Sequence, residues 1–325
     1  MKKILFITTG GTIASGKTNS GLAPILKKGE LLSYVPEINT LCNVSEIPVC
    51  NIDSTNMTPH LWTKIAETIK TNYDFFDGFV ICHGTDTMAY TSAALSYMIQ
   101  NSNKPIILTG SQKPISFNIT DAKKNIRDSV LLAVNESTHG VMIVFNGKAI
   151  SGTRAKKIRT QSYDAFESIN YPLLAQIQDG KVKWFVPCKS YKDKPKFYLD
   201  LDTSVFLLKL VPGMSADIIT KILRKYNCLI LESFGVGGIP KSIAEALDSV
   251  AESCNKKIVV LATQVIYEGT NTDLYEVGQQ LKGKIDFVEA HDMTIEAVYT
   301  KMMWLLGIKS ITKNELIELF NKSIS

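Results

Sequence analysis

The run Phe79-Val80-Ile81-Cys82 contains no charged or hydrogen-bonding polar residue, and it passes directly into His83-Gly84-Thr85-Asp86-Thr87 and a helix-like stretch from Met88 to Gln100. A short strand that is apolar on both sides needs cover on both sides, which is the habit of parallel sheets flanked by helices. In such sheets ligands gather at the carboxyl ends of the strands. Asp86 stands at one of these ends. A buried, unpaired carboxylate is costly or shifts its pKa until it neutralises. The chain has therefore placed a costly group where it should be useful, at the edge where ligands bind.

The same alternation recurs along the chain. Ile4 to Thr9 reads as a strand ended by Gly10-Gly11. Thr58-Pro59 opens a helix, with Thr58 as cap and Pro59 at the first helical position. Leu61, Ile65, Ile69 and Tyr73 follow at helical spacing, widened by Trp62 and Ala66. Strand Pro105 to Thr109 ends at Gly110-Ser111; a helix from about Asp121 to Asn135 leads to strand Val141 to Phe145. Strands joined by helices predict βαβ units and a doubly wound, mainly parallel α/β sheet. The segment from Val186 to Thr203 loses this period. Residues 1–185 are thus expected to form the larger N-terminal catalytic domain, 186–204 a linker, and 205–325 a smaller C-terminal α/β domain. In that second part strands are expected at Val205–Val211, Cys228–Ser233 and Ile258–Thr263. Ser215 is expected to cap a helix to Tyr226, and Ser242 with Glu245 to form a capping box for Ile243 to Cys254. Thr294 is expected to cap Ile295 to Leu306, and Thr312 with Glu315 to form another box.

Composition excludes several functions. Lys181, Lys183, Lys189, Lys192, Lys194 and Lys196 cluster, but no nucleic-acid-binding motif accompanies them, and a solvated linker is the expected reading. No apolar run approaches the roughly 20 residues of a membrane helix. The six cysteines are irregularly spaced and include no C-x-x-C, so free thiols in a reducing cytoplasm are expected. The N-terminal apolar run is too short for a secretory leader. There is no H-E-x-x-H, EF-hand loop, P-loop or dinucleotide fingerprint, and no metal or cofactor is expected. Gly235-Val236-Gly237-Gly238 reads as a tight turn.

Two strand ends carry the same device. Thr12 lies just past Gly10-Gly11, and Thr85 just past Gly84. Glycine lets backbone approach a ligand closely and frees N–H groups for it. Turn threonines often only cap nearby structure, but two at the ends of parallel strands can converge on one crevice. A threonine hydroxyl needs help to act as a nucleophile. His83 reads as a hydrogen-bond donor holding its turn. Lysine is the better helper, and Gly152-Thr153-Arg154-Ala155-Lys156-Lys157 offers two, between which composition does not choose.

These residues resemble a known family. Thr8 to Ser15 is similar to the first signature of the bacterial-type L-asparaginases, and Gly78 to Tyr90 to the second, with its H-G-T-D-T centre. The likeness extends through 53–57, 109–112, 152–157, 163–168, 233–237 and 292–294, and it is nearest to the cytoplasmic type I branch. The resemblance implies hydrolysis of the side-chain amide of L-asparagine to L-aspartate and ammonia. It implies Thr12 as nucleophile of an acyl-enzyme, and Thr85 as a second hydroxyl bonded to Lys157. Asp86 would bind the substrate ammonium. Asp53, Ser54, Thr55 and Ser111 would also bind the substrate, Ser54 and Thr55 at its α-carboxylate and amino end. It further implies a homodimer or homotetramer. One position departs from the pattern. Leu22 stands about where many members carry a tyrosine, in a loop from Thr18 to Lys28 expected to act as a lid.

The rival readings are a glutaminase, the asparaginase-like component of an archaeal tRNA-dependent amidotransferase, and a non-catalytic nucleotide- or amino-acid-binding module. The amidotransferase component carries an extra domain ahead of the first signature, which here begins at residue 8. The combination of Thr12, Thr85, Asp86 and Lys157 argues against the binding module.

Overall fold

The computed structural model describes residues 1–18, 21–24, 29–250, 257–272 and 287–324. They divide into two compact units, Met1–Leu199 (with Ile324) and Asp200–Ser323.

The first unit is built on an eight-stranded sheet. Its parallel part runs Gly140–Phe145, Pro105–Thr109, Gly78–Cys82, Lys3–Gly10, Asn43–Ile52 in spatial order. All five residues of Gly78–Cys82 and all five of Pro105–Thr109 are buried, as the unbroken apolar runs require. Burying Val80, Ile81 and their neighbours Ile107 and Leu108 contributes about 1.5–3 kcal/mol per side chain. Beyond Phe145 the sheet turns antiparallel through Lys148–Ser151, Ala175–Gln178 and Lys181–Trp184. Short strands expose no long pattern in sequence, and none of these three was anticipated. Asn43–Ile52 was also not anticipated. It contains Pro48, which an interior strand excludes, but it forms one edge of the sheet, where a missing N–H is tolerated.

The helix after Asp86 ends earlier than its pattern suggested. Met88–Met98 is helical, and Ile99–Gln100 leaves to pair antiparallel with Lys196–Phe197. Part of the expected linker therefore belongs to the first unit. Met88–Met98 is buried nearly all round, and its small residues allow close approach. A Cβ on Gly152 would lie 2.5 Å from Ser96 Oγ, and Ser92 Oγ donates to Gly152 O at 2.8 Å. This contact docks the start of the Gly152–Lys157 segment onto the helix that follows Thr85 and Asp86.

The second unit carries a parallel four-stranded sheet, Val205–Lys209, Cys228–Ser233, Ile258–Thr263 and Phe287–Glu289. Thr294 caps Ile295–Gly307, and Thr312 with Glu315 forms the expected box before Lys313–Asn321. Two caps are corrected. Ala216, not Ser215, precedes Asp217–Lys225. The next helix starts at Lys241, because the Ile243 and Ala244 N–H groups already bond to Pro240 O. Ser242 therefore lies inside the first turn, and Glu245 faces Lys241 at 3.8 Å. The end of that helix near Cys254 lies outside the described residues. Cys42, Cys50, Cys82, Cys188 and Cys228 are free thiols. Among the described residues no helix is long and apolar enough to cross a membrane.

Candidate active site

Four strand ends meet at the carboxyl edge of the main sheet, all within the first unit. The backbone contacts are so close that only glycine fits them. A Cβ on Gly11, whose φ is +78°, would lie 2.4 Å from Gly84 Cα. One on Gly84 would lie 2.6 Å from Ser54 Oγ, and one on Gly110 would lie 2.3 Å from His83 O. The turns bearing Thr12, Ser54, Thr85 and Ser111 are thus in direct contact. The first two are also tied by Gly11 N donating to Ile52 O at 2.8 Å. Thr87 Oγ1 donates to Ser54 O at 2.8 Å, and Ile115 N to Ile13 O at 3.2 Å.

Each expected residue can be placed. Thr12 is half-buried at the start of a single 3-10 turn, Thr12–Ala14. Thr85 is buried, and Asp86 beside it keeps 55% of its side chain exposed, open to a ligand. Lys157 reaches both. Its Nζ donates to Thr85 Oγ1 at 2.7 Å and to Asp86 Oδ1 at 2.7 Å. Lys157 lies on Ala155–Lys157, paired antiparallel with Phe166–Ser168. Neither strand was anticipated, since three residues carry too little period to read. The charge on Asp86 thus has a partner within the chain before any ligand arrives.

Asp53 and Thr55 are exposed and Ser54 is buried. Asp53 Oδ1 accepts from both Thr55 N and Thr55 Oγ1 at 2.9 Å, capping the Ser54–Asn56 turn. That oxygen is occupied locally. Ser111 is fully buried, and its hydroxyl donates to Lys113 O at 2.5 Å, so it offers a ligand only its lone pairs or its backbone. The backbone of the expected lid is partly a hairpin, with Lys17 opposite Leu22. The Leu22 side chain and residues 19–20 and 25–28 lie outside the description.

His83 is wholly buried and sits in a closed relay. Gly84 O only accepts, so His83 Nδ1 carries the proton in their 2.7 Å contact. Nε2 then accepts from Thr91 Oγ1 at 2.9 Å, and that oxygen accepts from Trp62 Nε1 at 2.9 Å. Burial pushes the imidazole down to about 4, a hydrogen bond to Gly84 opposing it. The ring is a neutral brace for the Gly84-Thr85 turn. Above pH 6.5 the ring is neutral in both folded and unfolded chains. As the pH falls from 6.5 towards 4, only the unfolded chain takes up the proton, and stability is lost across that window. Wild type is expected to lose roughly 3 kcal/mol more than His83→Asn between pH 7 and pH 4 in urea titrations, a gap that stays constant if the ring is not held neutral.

No role in the site was expected for Gln112 or Asp121. Gln112 Oε1 accepts from Thr85 Oγ1 at 3.3 Å. Buried Asp121 holds the Gln112 and Lys113 N–H groups. Burial pushes its carboxyl up, and these backbone donors pull it back. The signal for Gln112 was its place in the 109–112 segment that resembles the family, next to Ser111.

The model of the family described as "Asparaginase, N-terminal" matches residues 3–189, and that of the "Glutaminase/Asparaginase C-terminal domain" matches 204–320. An L-asparaginase of Thermococcus kodakarensis is 37% identical over 306 residues, covering 94% of this chain and 93% of that one. The solved structure of the thermostable L-asparaginase from Thermococcus kodakarensis superposes with a TM-score of 0.90 at 35% identity, covering 99% of this chain and 98% of the other. L-asparaginase 1 of Escherichia coli K12 is 35% identical over 94% of this chain and 92% of its own length. Two signature turns packed glycine against glycine, two domain models end to end and relatives matched over nearly their full length lead to one assignment: the chain belongs to the asparaginase family.

Proposed function

We propose that the protein hydrolyses the side-chain amide of L-asparagine to L-aspartate and ammonia through an acyl-enzyme on Thr12. The observation that carries this reading is the contact of Gly11 with Gly84, which sets the Thr12 turn against the Thr85-Asp86 turn, with Lys157 bonded to both members of the latter. Two hydroxyls, a carboxylate and an ammonium at one strand-end crevice suit an amide that also bears an α-ammonium and an α-carboxylate.

In this reading Thr12 Oγ attacks the amide carbon. The C–N bond breaks, the nitrogen leaves as ammonia with the proton removed from Thr12, and water then cleaves the ester to release aspartate. Thr85, gripped by Lys157, serves as the second hydroxyl for this proton traffic. Backbone N–H groups beside Thr12 and Thr85 stabilise the oxyanion. Asp86 takes the substrate ammonium as a charge-assisted bond. Ser54 and Thr55 meet its α-carboxylate and amino end, with Asp53 bracing that turn and Ser111 backing the site. The unit Met1–Leu199 carries the chemistry, and Asp200–Ser323 forms the smaller domain. A homodimer or homotetramer in the cytoplasm is part of the same proposal, supported by the resemblance to the type I branch.

Ammonia release from L-asparagine against L-glutamine tests the substrate. Faster release from L-asparagine is expected, and faster release from L-glutamine would make the protein a glutaminase. Hydroxylamine tests the intermediate. Added to the assay, it is expected to divert the acyl group to aspartyl β-hydroxamate, and its absence from the products would remove the acyl-enzyme.

A further inference from the structure

We infer that Gln112, clamped by Asp121, is a positioning residue that fixes the direction of the Thr85 hydroxyl. The inference rests on the hydrolase reading of the same site and adds to it a residue with no part in the steps above.

The Thr85 hydroxyl has one proton and two lone pairs. Lys157 Nζ, an ammonium paired with Asp86, has only protons to give, so Thr85 accepts from it. Thr85's own proton then goes to Gln112 Oε1 at 3.3 Å. The Gln112 amide is not free to turn over. Its Nε2 donates to Ser162 O at 3.1 Å and to Arg159 O at 3.5 Å. A flipped amide would set its oxygen against two carbonyls and its N–H groups against a hydroxyl that is itself donating. The segment supplying those carbonyls is braced in turn. Arg159 Nη1 donates to Asp164 O at 2.7 Å, and Lys148 Nζ bonds to Asp164 Oδ1 at 2.5 Å.

The main chain of Gln112 is held just as firmly. Its N–H points between the two Asp121 oxygens, at 2.9 and 3.1 Å, and Lys113 N donates to Oδ1 at 3.0 Å. Asn125 Nδ2 lies 3.3 Å from Asp121 Oδ2 and donates to Gly110 O at 2.9 Å. Asn125 Oδ1 accepts from Asn146 N at 2.9 Å. A carboxylate buried at the head of the Ala122–Ala133 helix thus grips the turn, and the turn aims one amide oxygen at Thr85. A hydroxyl already oriented in the resting site has less to reorganise as charge develops.

Gln112→Met tests this at a half-buried position where the chain length is kept and the amide removed. It is expected to lower kcat for L-asparagine roughly ten- to a hundredfold, with KM held within about twofold. Its unfolding midpoint is expected to match wild type. Asp121→Asn, which touches neither Thr85 nor Lys157, turns one acceptor into a donor facing the Gln112 N–H and is expected to lower kcat as well. A Gln112→Met enzyme as fast as wild type, or one whose loss in kcat is matched by an equal rise in KM, overturns the inference, as does an Asp121→Asn enzyme of full speed. Wild type that releases no ammonia from L-asparagine sinks the hydrolase reading itself; active wild type beside an unaffected Gln112→Met sinks only the role of Gln112.

Discussion

Thr85→Val is expected to fold as wild type does and to lose nearly all ammonia release from L-asparagine. Valine keeps the branched shape and removes only the hydroxyl. Two partners lose a contact: Lys157 Nζ, which donates to Thr85 Oγ1, and Gln112 Oε1, which accepts from it. Lys157 keeps Asp86 at 2.7 Å, and Gln112 Nε2 keeps its bonds to 159 and 162, but Gln112 Oε1 loses the partner it had. The stability cost is therefore that of two lost hydrogen bonds, about 1–3 kcal/mol. The catalytic cost is much larger, because a hydroxyl bonded to Lys157 beside the Thr12 turn is where the proposed proton traffic passes. A loss of roughly 10²–10⁴ in kcat is expected. Steady-state ammonia release paired with urea unfolding checks both halves. Activity within tenfold of wild type would remove Thr85 from the mechanism, whereas a collapsed unfolding midpoint would make it a structural residue.

The parts of this site that could be read from residues alone are those in which one short segment carries several signals at once. Phe79 to Gln100 combines an unbroken apolar run, a glycine turn and a helix, and the structure differs from that reading only where Ile99–Gln100 leaves the helix to pair with Lys196–Phe197. Thr12 announced itself through Gly10-Gly11 at the end of an equally plain strand. Elements that took their shape from distant partners were not legible. Asn43–Ile52 mixes polar residues and a proline because it lies at an edge and is only partly buried. The pairing of Ala155–Lys157 with Phe166–Ser168 is a matter of three residues finding three others.

The same limit explains the helix starts and the missed glutamine. Serine at 215 or 242 is a good cap only if the chain begins its helix one residue later, and Pro240, with its φ already fixed, begins the second helix first. Nothing local gives Gln112 or Asp121 its role in the site. Their meaning lies in hydrogen bonds to residues 27 and 9 positions away, distances at which a sequence pattern carries no register. The resemblance supplied Lys157, where composition left two lysines open.

Geometry now separates those two lysines, and the difference is large enough to measure. On an extended strand successive side chains point to opposite faces. Lys156 stands opposite Glu167 and Lys157 opposite Phe166 in the pairing of Ala155–Lys157 with Phe166–Ser168. Lys157 is the one whose side chain is only 15% exposed and whose Nζ bonds to both Thr85 and Asp86. Lys157→Met keeps the aliphatic length and removes the ammonium. Asp86 then loses its internal cation, but it is half-exposed and water takes up the vacated oxygen, so the cost to folding is small. Thr85 loses the donor that fixes its lone pair, and the proton traffic loses its cation. A fall in kcat of roughly 10²–10⁴ is expected for Lys157→Met. For Lys156→Met, which leaves every one of these contacts in place, kcat is expected to stay within about threefold of wild type. The two variants carry the same chemical change one residue apart, so any general effect of lost positive charge cancels in their ratio. A ratio near one would mean that the strand presents neither ammonium to the reaction, and an inverted ratio would place the catalytic face of the hairpin on the side of Glu167.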